Sequence, residues 1–394
     1  MKQSIPEGWS VKKLEECFSF SAGGDVDKDC FSETKDDLHP YPIYANALTN
    51  EGLYGYSSKY KVKEECITIT GRGDIGNVFY RKGYFTPIVR LITAIPNTGI
   101  NAKFMSYACS QIHFFDESTG VPQLTVPQVQ WYKILLPPLS EQEKIAGILG
   151  MWDEAIEKLS GLIEQKKLLK KGLMQKLLTG KTRLPGFSQL WKDVKLKEMG
   201  HITSAGVDKN IVPGEQNVTL LNYMDVYKKD FIYKDDIKQI VTAPDRKIKN
   251  CNVLMGDVFF TPSSETRDDI GHSAVIMENI PGAVYSYHVV RFRPLLNHLK
   301  RTFCAYAFKT VKFYKQAYSL CEGSGQRYVL SQDYFRNMSI FIPIDLEEQQ
   351  AIADILSTAD DEINLLNQKL EAIKEQKKGL MQQLLTGQIR VKVN

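Results

Sequence analysis

Residues 139–183 recur without a gap as residues 346–390. The offset is 207 positions (346 − 139), and 23 of the 45 aligned residues are identical, including Lys171-Gly172-Leu173-Met174-Gln175 against Lys378-Gly379-Leu380-Met381-Gln382. Internal repeats of this kind govern the whole architecture. Both copies space their apolar residues alternately four and three apart. The first runs Ile145, Leu149, Trp152, Ile156, Leu159 and Ile163, then Leu173 and Leu177, with Lys166 and Lys170 breaking the middle. The second runs Ile352, Leu356, Ala359, Ile363, Leu366, Leu370, Ile373, Leu380 and Leu384, and only Lys377 interrupts it. That is the seam of a coiled coil. A helix of about 38 residues at 1.5 Å per residue is about 57 Å long, so it separates what it joins. Two similar seams in one chain bury each other most simply by pairing antiparallel about a pseudo-twofold axis; the plainer alternative packs each helix on its own domain.

The flanks repeat as well. Each helix follows a proline-bearing strand end, Leu135-Leu136-Pro137-Pro138 or Phe341-Ile342-Pro343, and opens with an acidic turn at Glu141 or Glu347-Glu348, which suits the helix dipole. Each stops at Thr-Gly, where glycine can take the left-handed conformation that ends a helix. Upstream, Ser21-Ala22-Gly23 matches Ser204-Ala205-Gly206, and Trp9 with Leu14 matches Trp191 with Leu196. The chain therefore divides into a globular segment at 1–138, a long helix at 139–183, a second globular segment at 184–345, and a distal helix with its tail at 346–394.

The globular segments predict a mixed α/β fold. Strands are expected at 66–70, 78–80 and 88–92 in the first, and at 257–261, 273–277 and 289–293 in the second, which also predicts one helix near 299–318. Seven cysteines without a CxxC pair argue against disulfides and zinc, so a reducing cytoplasm is the expected compartment. No apolar run is long enough to cross a membrane, and Met1-Lys2-Gln3-Ser4 opens no signal core. A net charge of +4 does not by itself mark a nucleic-acid binder. The helices carry opposite balances, nine basic against six acidic residues and five against eight, which favours packing one on the other.

Motifs for catalysis are weak. Gly71-Arg72-Gly73-Asp74-Ile75-Gly76 satisfies GxGxxG, but an extended stretch follows where a dinucleotide site needs a helix start. Gly180-Lys181-Thr182 resembles the end of a phosphate loop, yet the loop's first glycine would fall at Gln175, inside a helix. Six scattered histidines form no metal motif, and neither an amino-methyltransferase signature nor a GxSxG elbow is present. The chain reads as a non-catalytic protein. What remains is a set of loops rich in groups that read base edges and phosphates: Asn46, Asn50, Tyr56, Lys59, Arg72, Asn77 and Gln123 in the first segment, and Ser263, Ser264, Arg267, Gln326 and Arg327 in the second. Arginine suits guanine, and Asn or Gln suits adenine. A coiled-coil protein–protein adaptor without DNA binding is the competing reading.

Taken with Pro6-Glu7-Gly8-Trp9, with Leu184-Pro185-Gly186-Phe187 before Trp191, and with the Gln142 and Gln349 motifs leading into Ile145-Ala146-Gly147-Ile148-Leu149 and Ile352-Ala353-Asp354-Ile355-Leu356, the chain resembles the specificity subunit of type I restriction-modification enzymes over nearly its full length. The resemblance implies two mixed α/β target recognition domains joined by an antiparallel intrachain coiled coil. Each domain would read one half of a bipartite, asymmetric double-stranded DNA target, with the helices setting the spacing. It further implies two methyltransferase subunits docked on the helices and endonuclease/translocase subunits in the full complex. S-adenosylmethionine, ATP and Mg would then belong to those partners, with no cofactor in this chain.

Overall fold

The computed structural model describes residues 5–115, 123–295 and 297–393. It forms two compact units, Met1–Ser160 with Gln368–Asn394, and Gly161–Asn367. The long helices span Leu139–Leu177 and Leu346–Leu385, so each contributes one part to either unit.

In the first unit, a four-stranded antiparallel sheet runs in the order Phe18–Ala22, Ile92–Pro96, Cys66–Ile69, Val78–Arg81. A second sheet orders Phe31–Ser32, Leu53–Ser57, Tyr41–Tyr44 and Thr86–Pro87, the last pair being parallel. Ser10–Lys13 pairs with Lys133–Leu136, whose strand leads into the long helix. Phe18, Ile67, Ile69, Ile92, Phe104 and Met105 form the core, and Ile145, Leu149 and Leu384 from the helices join it. The apolar stripe thus serves the neighbouring domain as well as the partner helix.

The second unit repeats the plan at larger scale. Its main sheet orders Gly200–Thr203, Val290–Pro294, Val258–Phe260, Ser273–Ile276 and Phe231–Ile232. Trp191–Lys195 pairs with Ser339–Pro343, as Ser10–Lys13 does with its partner. The helix predicted near 299–318 is two helices, Arg301–Ala307 and Val311–Leu320. The break comes at Thr310, whose hydroxyl accepts from Phe313 N and caps a fresh start. Ile352, Leu356 and Leu177 enter this unit's core, with Leu173 packed against it.

Inside each unit the helix segments pair antiparallel. In the first, Asp153 accepts from Lys377 at 2.5 Å, and Glu141 from Arg390 Nε at 2.9 Å. In the second, Lys166 meets Glu362 at 2.6 Å, Lys170 meets Asp360, and Arg183 meets Glu348. As one residue number rises its partner's falls. All seventeen seam residues named on sequence grounds, counting Trp152, Ile156, Leu159, Ile163, Ala359, Ile363, Leu366, Leu370, Ile373 and Leu380 with those above, are buried or half-buried. The lysines that interrupted the stripes are the residues that bridge the helices. A charge at a seam position, satisfied in only one register, fixes alignment at some expense of burial.

Two of these contacts recur at the 207-residue offset, Arg183–Glu348 as Arg390–Glu141 being one. Lys170–Asp360 in one unit corresponds to Lys377–Asp153 in the other, and Tyr306 and Tyr107 donate to the two aspartates at 2.8 and 2.5 Å. Trp191 Nε1 reaches Glu348 at 3.3 Å, and Trp9 Nε1 reaches Glu141 at 3.2 Å. Gln142 and Gln349, both buried, donate to Pro137 O and Pro343 O and accept from Asn101 N and Lys300 N, tying each helix start to its own domain. Gly180 and Gly387 hold φ of +67° and +70°. A Cβ added at Gly180 would lie 3.3 Å from the Trp191 ring, and one added at Gly387 would collide with Pro6.

The Arg390 guanidinium beside Glu141 holds that carboxyl below the usual carboxylate range, against the opposing effect of burial. A depressed folded-state pKa stabilises the fold fully above the unfolded value and loses that contribution as pH falls through the depressed one. Arg390→Ala should therefore lower the thermal midpoint at pH 7, and the gap from the parent should close below about pH 4, where unfolded carboxylates titrate. A gap that stays constant from pH 7 to pH 3 would remove this ion pair from the account.

Candidate nucleic-acid interface

The GxGxxG stretch is a self-closed loop with no helix behind it. Thr70 N donates to Asn77 O at 3.0 Å, Gly76 N to Thr70 O at 2.8 Å, and Asn77 N to Thr70 Oγ1 at 2.9 Å. The Asn77 amide adds a bond to Asp74 O at 2.8 Å. Gly73 and Gly76 take φ of +67° and +80°, which the tight loop requires. Leu124 N donates to Gly71 O at 2.9 Å, and Arg72 forms a backbone bridge with Gln123. The loop's other side is held by Asn46, whose Oδ1 accepts from Gly71 N at 2.7 Å while its Nδ2 donates to Val89 O at 2.5 Å.

Arg72, Asn77, Gln123 and Asn46 are therefore gathered in one place. Asn46 and Asn77 spend their amides on the scaffold; the Arg72 side chain has no hydrogen bond or ion pair among the described residues. Asn50 is exposed in a left-handed turn with Glu51, φ +48° and +52°. Buried Arg81 pins that turn, donating to Glu51 Oε2 at 3.2 Å with its guanidinium 3.8 Å over the Tyr44 ring. Sequence reasoning missed Arg81 because its partners are distant in the chain. Tyr56 lies half-buried in the second sheet and Lys59 is exposed just beyond it; no hydrogen bond among the described residues ties either to the 70–77 loop. Of Gly120-Val121-Pro122-Gln123, the first three lie outside the described residues.

The second unit builds the same loop with other side chains. Thr261 N donates to His272 O at 2.9 Å, Gly271 N to Thr261 O at 3.0 Å, and His272 N to Thr261 Oγ1 at 3.0 Å. Leu330 N donates to Pro262 O at 2.7 Å, as Leu124 N does to Gly71 O. Thr261 thus stands where Thr70 stands, and four extra residues enlarge the loop, ten between its closing pair against six. Ser263–Ser264 pairs with Arg327–Val329, which forms a hairpin with Glu322–Ser324. Gly325, at φ +70°, takes the first central position of the two-residue turn and leaves Gln326 exposed at its tip.

A cleft of about 490 Å³ opens beside this hairpin, lined by Tyr223, Tyr227, Ser263, Ser264, Gln326 and Arg327. Tyr223 and Tyr227 stack at 5.9 Å. Asp269 accepts from Tyr227 Oη at 3.1 Å and lies 2.8 Å from His272 Nε2; the carboxylate pushes the tyrosine's pKa up. Arg267 lies 5.1 Å over the Tyr328 ring. Of the five residues predicted in this unit, Ser263, Ser264, Gln326 and Arg327 line the cleft with two tyrosines that sequence reasoning passed over, while Arg267 sits against Tyr328. Chemically the surface offers hydrogen-bonding and cationic groups with aromatic planes. Among the described residues no helix is long and apolar enough to cross a membrane, and no metal-binding cluster occurs.

Comparison with known proteins bears on this arrangement. A family model described as the type I restriction modification DNA specificity domain matches residues 6–166 and again 189–375. A relative in Mycoplasma pneumoniae, named as type I specificity subunit S.MpnORF507P, is 34% identical over 149 residues, 38% of this chain and 41% of that one. That alignment spans less than half of the relative. The type I restriction enzyme MjaVIII specificity subunit of Methanocaldococcus jannaschii is 25% identical over 98% of this chain and 94% of its own length. The crystal structure of a type I restriction-modification S subunit from M. genitalium has the same fold, with a TM-score of 0.62 at 16% identity over 98% of each chain.

Proposed function

This chain belongs to the type I restriction modification DNA specificity family, and on that premise we propose that its two units read the two halves of a bipartite, asymmetric DNA target. The observation that carries the reading is the repeated loop frame, Thr70 to Asn77 in one unit and Thr261 to His272 in the other. One backbone design holds two different sets of side chains, which suits two different half-sites. The half-buried Arg72 of the first and the exposed Gln326-Arg327 hairpin tip of the second are the leading base-edge contacts, since Arg pairs with guanine and Gln with adenine. A two-stranded ribbon of this kind fits the major groove.

The helices set the spacing between half-sites and carry the partners. Leu168, Leu169 and Leu365 are exposed at 68%, 58% and 66%, apolar surface that two methyltransferase subunits would cover, with endonuclease/translocase subunits completing the complex. The chain itself is a non-catalytic, cytoplasmic subunit, and S-adenosylmethionine, ATP and Mg act on its partners. Grafting residues 41–123 from another specificity chain should change one half of the methylated sequence and leave the other intact, as mapped by single-molecule sequencing of a plasmid from cells that co-express the methyltransferase. A change in both halves would refute the division of labour.

A further inference from the structure

The stretch 88–92, expected as one strand, bends instead, and its strand starts only at Ile92. Val89 and Arg90 both take left-handed φ, +52° and +60°, a region a β-branched residue rarely enters. The bend is held from several sides. Val89 N donates to Gly24 O at 2.7 Å, Arg90 N to Gly23 O at 2.8 Å, and Asn46 Nδ2 to Val89 O. A side chain at Gly23 would lie 2.7 Å from Ile88 N. All this support serves a turn whose two side chains are exposed, and Arg90 has no hydrogen bond or ion pair among the described residues. Its carbonyl lies 3.1 Å from where a Cβ on Gly71 would sit, one residue from Arg72.

The second unit places a turn at the same point, with different side chains and without left-handed φ at either residue. Val207 bridges Ser286 as Gly24 bridges Ile88, and Gly206 packs against the Tyr287 backbone with no room for a Cβ. Counting onward from Ser286 and Ile88, Tyr287 and His288 stand where Val89 and Arg90 stand. Tyr287 is 51% exposed and its ring lies 4.0 Å from that of His288. Burial, with the charges of Lys209 and Arg327, lowers the His288 pKa, and a neutral imidazole offers one donor and one acceptor, a match for a base edge rather than a phosphate.

We propose that this turn is a further recognition element in each unit, with Arg90 reading a guanine in one half-site and His288 reading a base edge in the other. The assignment rests on the DNA-reading function proposed above. A pinned backbone matters for a bidentate contact, which fails when the fork is misplaced. A phosphate contact tolerates a swinging side chain.

The test uses the full chain co-expressed with its methyltransferase subunits, with methylated positions mapped across a plasmid for the parent, Arg90→Ala, Arg90→Lys and His288→Ala. Both Arg90 variants should lose base choice at one position of one half-site, raising the relative methylation of mismatched sites by about tenfold or more; His288→Ala should relax the other half only. Since the Arg90 side chain is exposed and that of His288 half-buried, thermal midpoints should stay close to the parent's. An unchanged motif in all three variants would overturn the proposal, as would an Arg90→Lys that matches the parent while Arg90→Ala weakens every site alike. A parent chain that directs no sequence-dependent methylation would instead overturn the DNA-reading function itself.

Discussion

Arg183→Ala should destabilise the second unit by about 3–5 kcal/mol, the usual consequence of stranding a buried charge. The Glu348 side chain is fully buried, and it meets Arg183 Nε at 2.6 Å and Nη2 at 2.8 Å. Removing the guanidinium leaves that carboxylate with the Trp191 indole N–H, at 3.3 Å. Arg183→Lys supplies the charge but not the two-pronged geometry, so it should fall between parent and alanine. Replacing both partners by apolar residues of similar size, Arg183→Met with Glu348→Leu, should recover most of the loss, because such pairs stabilise little over well-packed hydrophobic substitutes. Urea unfolding of the four proteins separates the terms. A loss under about 1 kcal/mol for Arg183→Ala, typical of a surface pair, or a double variant no better than the single one, would show that Glu348 finds other compensation.

Much of the frame was legible because it is periodic. Ile145, Leu149, Leu177, Ile352, Leu356 and Leu384 announce a helix face by spacing alone, and all six are buried. The lysines in the stripes looked like defects because a one-dimensional pattern records which residue departs from it and not what lies opposite. Opposite Lys170 and Lys377 lie Asp360 and Asp153, partners about 190 and 224 positions away. The interface was legible in residue type and less so in role. Asn46 and Asn77 have amides suited to adenine, yet both are engaged by backbone groups. Val89 and Arg90 read as strand because Ile88, Val89 and Ile92 favour extended backbone; Asn46, Gly23 and Gly24 override that preference through contacts no local window contains. The single helix expected near 299–318 failed for a local reason, since Thr310 is a strong cap that an apolar tally overlooks.

Inserting one heptad into each long helix, between Ser160 and Gly161 and between Asn367 and Gln368, should lengthen the unread spacer of the methylated sequence. Seven residues add about 10.5 Å of helix, the rise of about three base pairs. The insertion points lie where the compact units divide each helix, so Lys377–Asp153 in one unit and Lys166–Glu362 in the other keep their partners. Seven residues also fall only about 20° short of two full helical turns, and the seam stays inward. Three base pairs, by contrast, turn the duplex by about 100° at 10–10.5 pairs per turn. That mismatch must be absorbed by twisting, and it should appear as slower methylation at the lengthened site. Lengthening one helix alone sets the two units' registers against each other and should abolish sequence-dependent methylation. An unchanged spacer in the double insertion would show that something other than the paired helices measures the distance between half-sites.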